Sequence, residues 1–157
     1  NQIIEQKFIF MKENKIRIEK LNELLSDFQI YYQNLRGFHW NIQGKEFFEL
    51  HVKFEELYTD TAMKIDEIAE RILTIGGVPL HSFDDYLATA RIKSVKNVHD
   101  GETSVTTIVQ NLTHILDQEK ELKSLAGESG DSGTEDQMSA LIEAQEKTLW
   151  MYKAWLK

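Results

Sequence analysis

Cysteine is absent from this chain of 157 residues, and proline occurs only once, at Pro79. The absence of cysteine excludes disulfides and thiolate metal ligands. Glycine is modest at eight residues and helix-favouring residues dominate, so the composition predicts an all-α protein. No apolar run approaches the roughly 20 residues of a membrane span, and residues 1–10 lack the basic-then-apolar layout of a secretory signal. We therefore expect one domain over residues 1–157, no membrane partner and a cytoplasmic location.

Basic residues are also few, because 18 Lys and Arg stand against 26 Asp and Glu, which gives a formal net charge of −8. Those near the start of the sequence alternate with glutamates, as on an ordinary mixed-charge helix, and no basic tail follows at the end. Affinity for a nucleic-acid backbone comes mainly from clustered Lys and Arg. The composition therefore disfavours DNA binding.

Apolar residues at three-to-four spacing predict four long helices. The first runs from about Lys12 to Trp40 and ends before Gly44. The second begins near Lys45 and ends at Gly76 and Gly77, followed by the single proline, which is a strong stop signal.

A crossover of about 25 residues separates the second long helix from the third. It contains a short predicted helix that begins at Ser82, with Asp85 three residues later. The third long helix covers about Thr103 to Leu125, and the fourth opens with Thr134 and Gln137 as a predicted capping box. Four long helices with one long middle crossover are typical of the ferritin-like bundle, which is the fold that we predict.

The second helix carries four possible metal ligands, His51, Glu55, Asp66 and Glu70. At about 100° per residue they lie near 0°, 40°, 60° and 100°, so they share one face. Fifteen positions separate the first pair from the second, which is roughly 22 Å along a helix and too far for one ion. The two pairs are placed symmetrically about a common midpoint, so two copies crossing antiparallel would bring the His-containing pair of one against the carboxylates of the other. The pattern predicts a metal site shared by a symmetric dimer.

A second face of this helix, centred about 125° away from the ligand face, is apolar, which supports a helix with two different partners. Thr59 and Ala62 on the ligand face are small enough to let a neighbouring helix approach. The alternative is a solvated charged face, the common case for single charged residues on a helix. The apolar residues are Phe47, Leu50, Phe54, Leu57, Ile65, Ile68 and Ile72.

None of the five histidines follows a glutamate by three positions, so the Glu-x-x-His pair of an intrachain di-iron centre is missing. His39 lies twelve residues before His51, and a turn at Gly44 would fold it toward the start of the second helix. Imidazole and carboxylate together suit iron, zinc or manganese, and such a set with open positions is typical of reactive non-haem Fe(II). A lone histidine at a helix end is otherwise usually structural.

These residues resemble the signature of the Dps family, the miniferritins also called DNA-binding proteins from starved cells. The spacings of 12, 27 and 31 from His39 to His51, Asp66 and Glu70 match that signature. The residues that carry the resemblance are His39-Trp40, Gly44, Phe48, His51, Tyr58, Asp66-Glu67-Ile68-Ala69-Glu70-Arg71, Tyr86-Leu87-Ala88, Gly127-Glu128, Gly130-Asp131 and Trp150-Met151.

The resemblance implies a hollow shell of twelve subunits with ferroxidase centres at its two-fold interfaces. His39, His51 and Glu55 would come from one subunit, and Asp66 and Glu70 from its mate, to bind one or two iron ions. Many relatives carry Asp in place of Glu55, and the longer side chain here would change how tightly a second iron is held.

The resemblance also suggests roles for three residues outside the ligand set. Trp40, beside the site, would lend an electron or fix the orientation of its neighbouring histidine, or else it fills an interface. Asp131 and Asp136 best match the acidic residues of iron-entry pores on three-fold axes. Their alternative role is loop solvation and charge at the start of a helix.

The resulting functional hypothesis is iron storage and detoxification. The protein would oxidise Fe²⁺, preferentially with hydrogen peroxide and otherwise with O₂, and protect the cell against oxidative stress. One alternative is a nucleoid-binding structural protein that has kept the fold. Another is a helical bundle whose acidic face only supports oligomerisation.

Overall fold

The computed structural model describes residues 1–157 as five helices and no strands. The four long helices form the bundle, and the short one lies in the crossover and packs on the first. This confirms the predicted all-α, ferritin-like architecture. None of the helices combines the length and the apolar character that crossing a membrane requires. The helices are α1 (Gln2–Asn41), α2 (Phe47–Thr74), α3 (Phe83–Thr89), α4 (Gly101–Glu128) and α5 (Ser132–Trp155).

Helix α1 starts ten residues earlier than the sequence pattern predicts, at Gln2 instead of Lys12. The prediction relied on apolar residues that face a core, and residues 1–12 are all exposed. Local hydrogen bonding defines this end instead, because the Asn1 side chain accepts a bond from the Ile3 amide at 3.3 Å. The predicted start of α3 is confirmed, since the Ser82 side chain caps it.

The predicted capping box of the last helix is wrong. Asp131 caps α5, and its side chain accepts from the Thr134 amide at 3.1 Å. The hydroxyl of Thr134 is buried and accepts instead from Arg71 Nε at 2.9 Å. Gln137 in α5 donates to the carbonyl of Glu67 in α2 at 3.2 Å. Both predicted cap residues are therefore used in contacts between helices.

The core lies along the bundle axis, and α2 contributes the apolar stripe that the sequence predicts. Leu50, Phe54, Ile68 and Ile72 are buried, while the remaining members of the stripe pack around them. The opposite face of α2 stays exposed in the single chain, including Glu55, Asp66 and Glu70.

Asp27 fixes the long crossover to the bundle. Its carboxylate is completely buried and accepts from the backbone amides of Arg91 and Ile92 at 2.7 and 2.8 Å. Gln118 donates to the same carboxylate at 2.7 Å, and His114 Nε2 lies 3.1 Å from it. A single acid thus ties α1, α4 and the connecting chain together, because a buried carboxylate must satisfy its oxygens with hydrogen bonds.

The turn between α1 and α2 brings the two predicted histidine ligands together. Gly44 has φ +111°, in the left-handed region that favours glycine. The amide of Gln43 donates to the His99 carbonyl at 2.8 Å, which anchors the turn to the start of α4.

Candidate metal centre

His39 and His51 hold each other in a reciprocal arrangement. Their rings stack with centroids 3.8 Å apart and an interplanar angle of 10°. His39 Nδ1 lies 2.5 Å from the His51 carbonyl oxygen, and His51 Nδ1 lies 2.7 Å from the His39 carbonyl oxygen. Each Nδ1–H donates to a carbonyl, which leaves each Nε2 as the nitrogen available to a metal ion. Metal-binding histidines almost always donate their other ring N–H to a carboxylate, a backbone carbonyl or a water.

Aromatic side chains restrict both imidazoles further. Phe47 stacks on His51 with ring centroids 4.9 Å apart and an angle of 17°. Tyr58 packs edge-on against His39 with centroids 5.4 Å apart. His39 is only 7% exposed, so its ring has little freedom to turn away. The pair is therefore preorganised before any ion binds.

Glu55 lies one helical turn after His51, where it is exposed and near Tyr58. The Tyr58 hydroxyl is 3.5 Å from Glu55 Oε1, at the limit of a hydrogen bond. Desolvation raises the pKa of the Tyr58 hydroxyl, and the Glu55 carboxylate adds to the shift. The sequence pattern includes Tyr58 in the family signature but does not predict it as part of the metal site. Its position seven residues after His51 was the available signal, since that spacing places both on one face of the helix.

Asp66 and Glu70 form a second cluster farther along the same face. Their carboxyl groups are within hydrogen-bonding reach of each other, and the charge of Asp66 raises the pKa of Glu70. Two carboxylates this close repel, and a bound cation would relieve that repulsion.

Within one chain, no three His, Asp or Glu side chains are placed to hold a metal ion. The structure therefore brings His39 and His51 together near Glu55, and it brings Asp66 together with Glu70. We call these two clusters the half-sites, and they lie apart along α2 within one chain. Two free imidazole nitrogens and three carboxylates form a donor set that suits Fe²⁺. Whether the half-sites of two copies combine stays a prediction.

Trp40 lies at the end of α1 beside the histidines and is 57% exposed. The guanidinium of Arg36 lies 4.9 Å from its ring centroid, as in a cation–π contact. Its predicted role beside the site stays a prediction.

The two predicted pore residues have different surroundings. Asp131 forms ion pairs with Arg17 at 3.2 Å and Arg71 at 2.7 Å, and only 10% of its side chain is exposed. Burial alone would raise the pKa of Asp131, but hydrogen bonds from Thr134 and Arg71 outweigh it and hold the pKa below its ordinary value. Asp136 is exposed on the first turns of α5. Asp131 thus caps α5, which agrees with its alternative role at a helix start, and two arginines of the same chain neutralise its charge. The pore role of both residues stays a prediction.

Comparison with known proteins gives the family of this chain. A family model described as a ferritin-like domain matches residues 18–157. The DNA protection during starvation protein of Porphyromonas gingivalis is 42% identical over 92% of this chain and 92% of its own length. The chain belongs to the Dps family of ferritin-like proteins.

Solved Dps structures share the whole bundle. The Dps protein of Vibrio cholerae, described as a member of a superfamily of ferritin-like diiron-carboxylate proteins, is 51% identical, with a TM-score of 0.92. That match covers 93% of this chain and 92% of the other. The Dps protein of Bacillus brevis is 34% identical with a TM-score of 0.90, covering 93% of this chain and 98% of the other.

Proposed function

We propose that this protein is a ferroxidase that stores iron, and that its active site is completed by a second copy of the chain. The observation that carries the proposal is the reciprocal His39–His51 pair, which presents two free Nε2 atoms at one end of the exposed face of α2. The Asp66 and Glu70 carboxyl groups lie on the same face, roughly 22 Å away along the helix. Neither half-site alone has enough ligands for a metal centre.

An antiparallel crossing of two α2 helices would join the half-sites. The pairs are symmetric about the helix midpoint, so one two-fold axis generates two identical sites per interface. His39, His51 and Glu55 of one subunit would then face the carboxylates of the other. The exposure of all three carboxylates in the single chain supports this arrangement, because a face that pairs with another subunit must be uncovered in the monomer.

Fe²⁺ is the substrate of this site. The imidazoles and carboxylates bind it and favour the more highly charged Fe³⁺ product, since negative ligands stabilise added positive charge. Two Fe²⁺ ions supply two electrons, which with two protons convert one hydrogen peroxide molecule to two waters. The site takes one or two ions, and O₂ is the alternative oxidant.

The products would be stored as mineral inside a shell of twelve subunits, within the cytoplasm. This removes both Fe²⁺ and peroxide and so protects the cell against oxidative stress. The ferritin-like family and the diiron-carboxylate description of the Vibrio cholerae relative support iron storage. Iron would enter between subunits, past Asp136 and Asp131.

A mixed assembly tests whether the site is shared. His51→Ala and Asp66→Ala subunits should each be nearly inactive alone, because every site then lacks one ligand. In a random equal mixture, about half of the dimers contain one subunit of each kind, and each of these has one complete site in two. Fe²⁺ oxidation should therefore return to about one quarter of the unmodified rate.

The matched control is His81→Ala, which removes an exposed imidazole away from the site and should leave the rate unchanged. Native mass spectrometry would verify that the two kinds of subunit have mixed. If the verified mixture is no more active than either variant alone, the shared site is wrong.

A second candidate function is DNA protection, because several relatives carry that name. The net charge of −8 argues against direct binding to the phosphate backbone. Protection through removal of iron and peroxide needs no contact with DNA.

A further inference from the structure

Tyr58 contacts both kinds of predicted ligand in the half-site that contains the histidines. Its ring packs edge-on against His39, with centroids 5.4 Å apart, and against Tyr32, with centroids 5.9 Å apart. Both pairs of rings are close to perpendicular, at 74° and 75°. A ring held by two such contacts has little freedom to turn, so its hydroxyl oxygen has a defined position. That oxygen lies 3.5 Å from Glu55 Oε1.

Glu55 has no other partner within the chain. Its side chain is exposed, and it takes part in no ion pair and in no further hydrogen bond. Lys53, the nearest lysine in the sequence, pairs instead with Glu56 at 3.0 Å. Tyr58 is therefore the one residue whose side chain restrains the Glu55 carboxylate.

This restraint matters because a glutamate side chain is flexible. It has three rotatable bonds, and fixing them when a ligand binds costs free energy. His39 and His51 avoid most of this cost, since backbone carbonyls already fix their rings. A hydrogen bond to Glu55 lowers the same cost by holding the carboxylate in place before the ion arrives.

The phenol of Tyr58 is suited to donate to this carboxylate and is poorly suited to bind the ion itself. Desolvation, and then the charge of Glu55, raise the pKa of the Tyr58 hydroxyl, so it keeps its proton at neutral pH. Donation to Oε1 leaves the second carboxylate oxygen free for a metal ion. A distance of 3.5 Å is long, but hydrogen bonds in active sites are often long before the ligand binds and shorten afterwards.

We infer that Tyr58 is a positioning residue of the ferroxidase site, which acts on Fe²⁺ binding through the carboxylate of Glu55. The inference rests on the proposed function, because that function makes Glu55 a ligand. The hydroxyl holds the carboxylate, while the ring limits rotation of His39. One side chain thus restrains two ligands of different kinds.

The Tyr58→Phe variant tests the inference, because it keeps the ring and removes the hydroxyl. The assembled variant should bind Fe²⁺ without oxygen about 3- to 10-fold more weakly, as expected for the loss of one hydrogen bond. KM for Fe²⁺ should rise by a similar factor while kcat stays within about 2-fold, because the lost interaction acts on binding. Anaerobic titration calorimetry and initial oxidation rates measure these quantities. The matched control is Tyr86→Phe, which removes a hydroxyl that donates to the Leu80 carbonyl in the crossover and should change neither quantity.

A double-mutant cycle shows whether the hydroxyl acts through Glu55. In a Glu55→Ala background, Tyr58→Phe should have no further effect on Fe²⁺ affinity, because the acceptor is gone. Equal effects in both backgrounds would overturn the inference, since the hydroxyl would then act on another group. A lower kcat with unchanged affinity would also overturn it, because Tyr58 would then take part in the reaction, for example as an electron donor. A visible absorption band of an Fe³⁺–phenolate, lost in Tyr58→Phe, would identify Tyr58 as a ligand and overturn it too.

Failure of this inference and failure of the proposed function give different results. Unchanged affinity in Tyr58→Phe, with weaker binding in Glu55→Ala, would leave the ferroxidase site standing and Tyr58 without a role in it. Unchanged affinity in Glu55→Ala would remove Glu55 from the ligand set and overturn the inference with it. Coupling between the two residues in the cycle, with no activity restored in the mixed assembly of ligand variants, would support the inference and refute only the shared site.

Discussion

At the scale of single residues, the histidine pair shows how backbone atoms prepare side chains for a metal ion. Each imidazole of His39 and His51 uses one nitrogen on the carbonyl of the other residue. The available tautomer is therefore fixed by backbone carbonyls of α1 and α2, two helices that the turn around Gly44 places side by side. The sequence predicts that both residues are ligands, but their mutual contacts depend on this turn.

Glu119 is a second residue with an unusual environment, because it is completely buried in the bundle. Gln145 donates to Glu119 Oε2 at 2.7 Å, while Oε1 has no partner within the protein. Burial raises the pKa of Glu119 to about 8, although the hydrogen bond from Gln145 and the charge of Lys64 act in the opposite direction. The carboxyl group is therefore protonated at neutral pH.

The Glu119→Gln variant should be more stable than the unmodified protein in neutral and mildly alkaline solution. The unfolded carboxyl loses its proton near pH 4.5 and the folded one near pH 8. The unfolding free energy of the unmodified protein should therefore fall between these values, by at most about 1.4 kcal/mol per pH unit from this group. The amide cannot ionise, so the advantage of the variant should grow from pH 5 to pH 8. Urea unfolding at several pH values measures the difference, and a gap that stays constant with pH would show that Glu119 is already ionised.

At the scale of helices, the junction between α4 and α5 shows what a local sequence pattern misses. Thr134 and Gln137 have the spacing of a capping box, but Asp131 performs the capping and also pairs with Arg17 and Arg71. The two arginines come from α1 and α2, so the start of α5 is defined by contacts that no local pattern records.

The two predicted pore residues should consequently respond differently to loss of charge. Asp131→Asn removes the partner of two partly buried guanidinium groups and should lower the unfolding free energy by about 1–3 kcal/mol. Asp136→Asn removes an exposed charge and should leave stability unchanged. If Asp136 lines an entry pore, its variant should oxidise Fe²⁺ more slowly, and most clearly at low salt, because the carboxylate raises the local cation concentration.

Denaturant unfolding and the initial rate of Fe²⁺ oxidation measure the two effects separately. Unmodified oxidation by an assembled Asp136→Asn shell, at both low and high salt, would exclude this residue from the entry path.

At the scale of the whole molecule, the net charge of −8 governs contact with nucleic acid. We expect no retardation of duplex DNA at moderate salt, because too few clustered cations are present to release counterions from the backbone. An electrophoretic shift assay across a salt series measures this. A salt-sensitive shift at low micromolar protein would contradict the expectation and favour DNA protection by direct binding.

Helical periodicity alone is enough to predict the bundle and the two faces of α2. Both follow from periodicity along one helix, where residues three and four apart share a side whatever the rest of the chain does. For this reason the buried positions Leu50, Phe54 and Ile68 and the exposed ligand face were predicted together.

Contacts between residues that are far apart in the sequence could not be predicted in this way. Arg71 meets Asp131 across 60 positions, and Gln145 meets Glu119 across 26. Each contact depends on how helices pack, because packing alone determines which polar groups lose water and must find a partner.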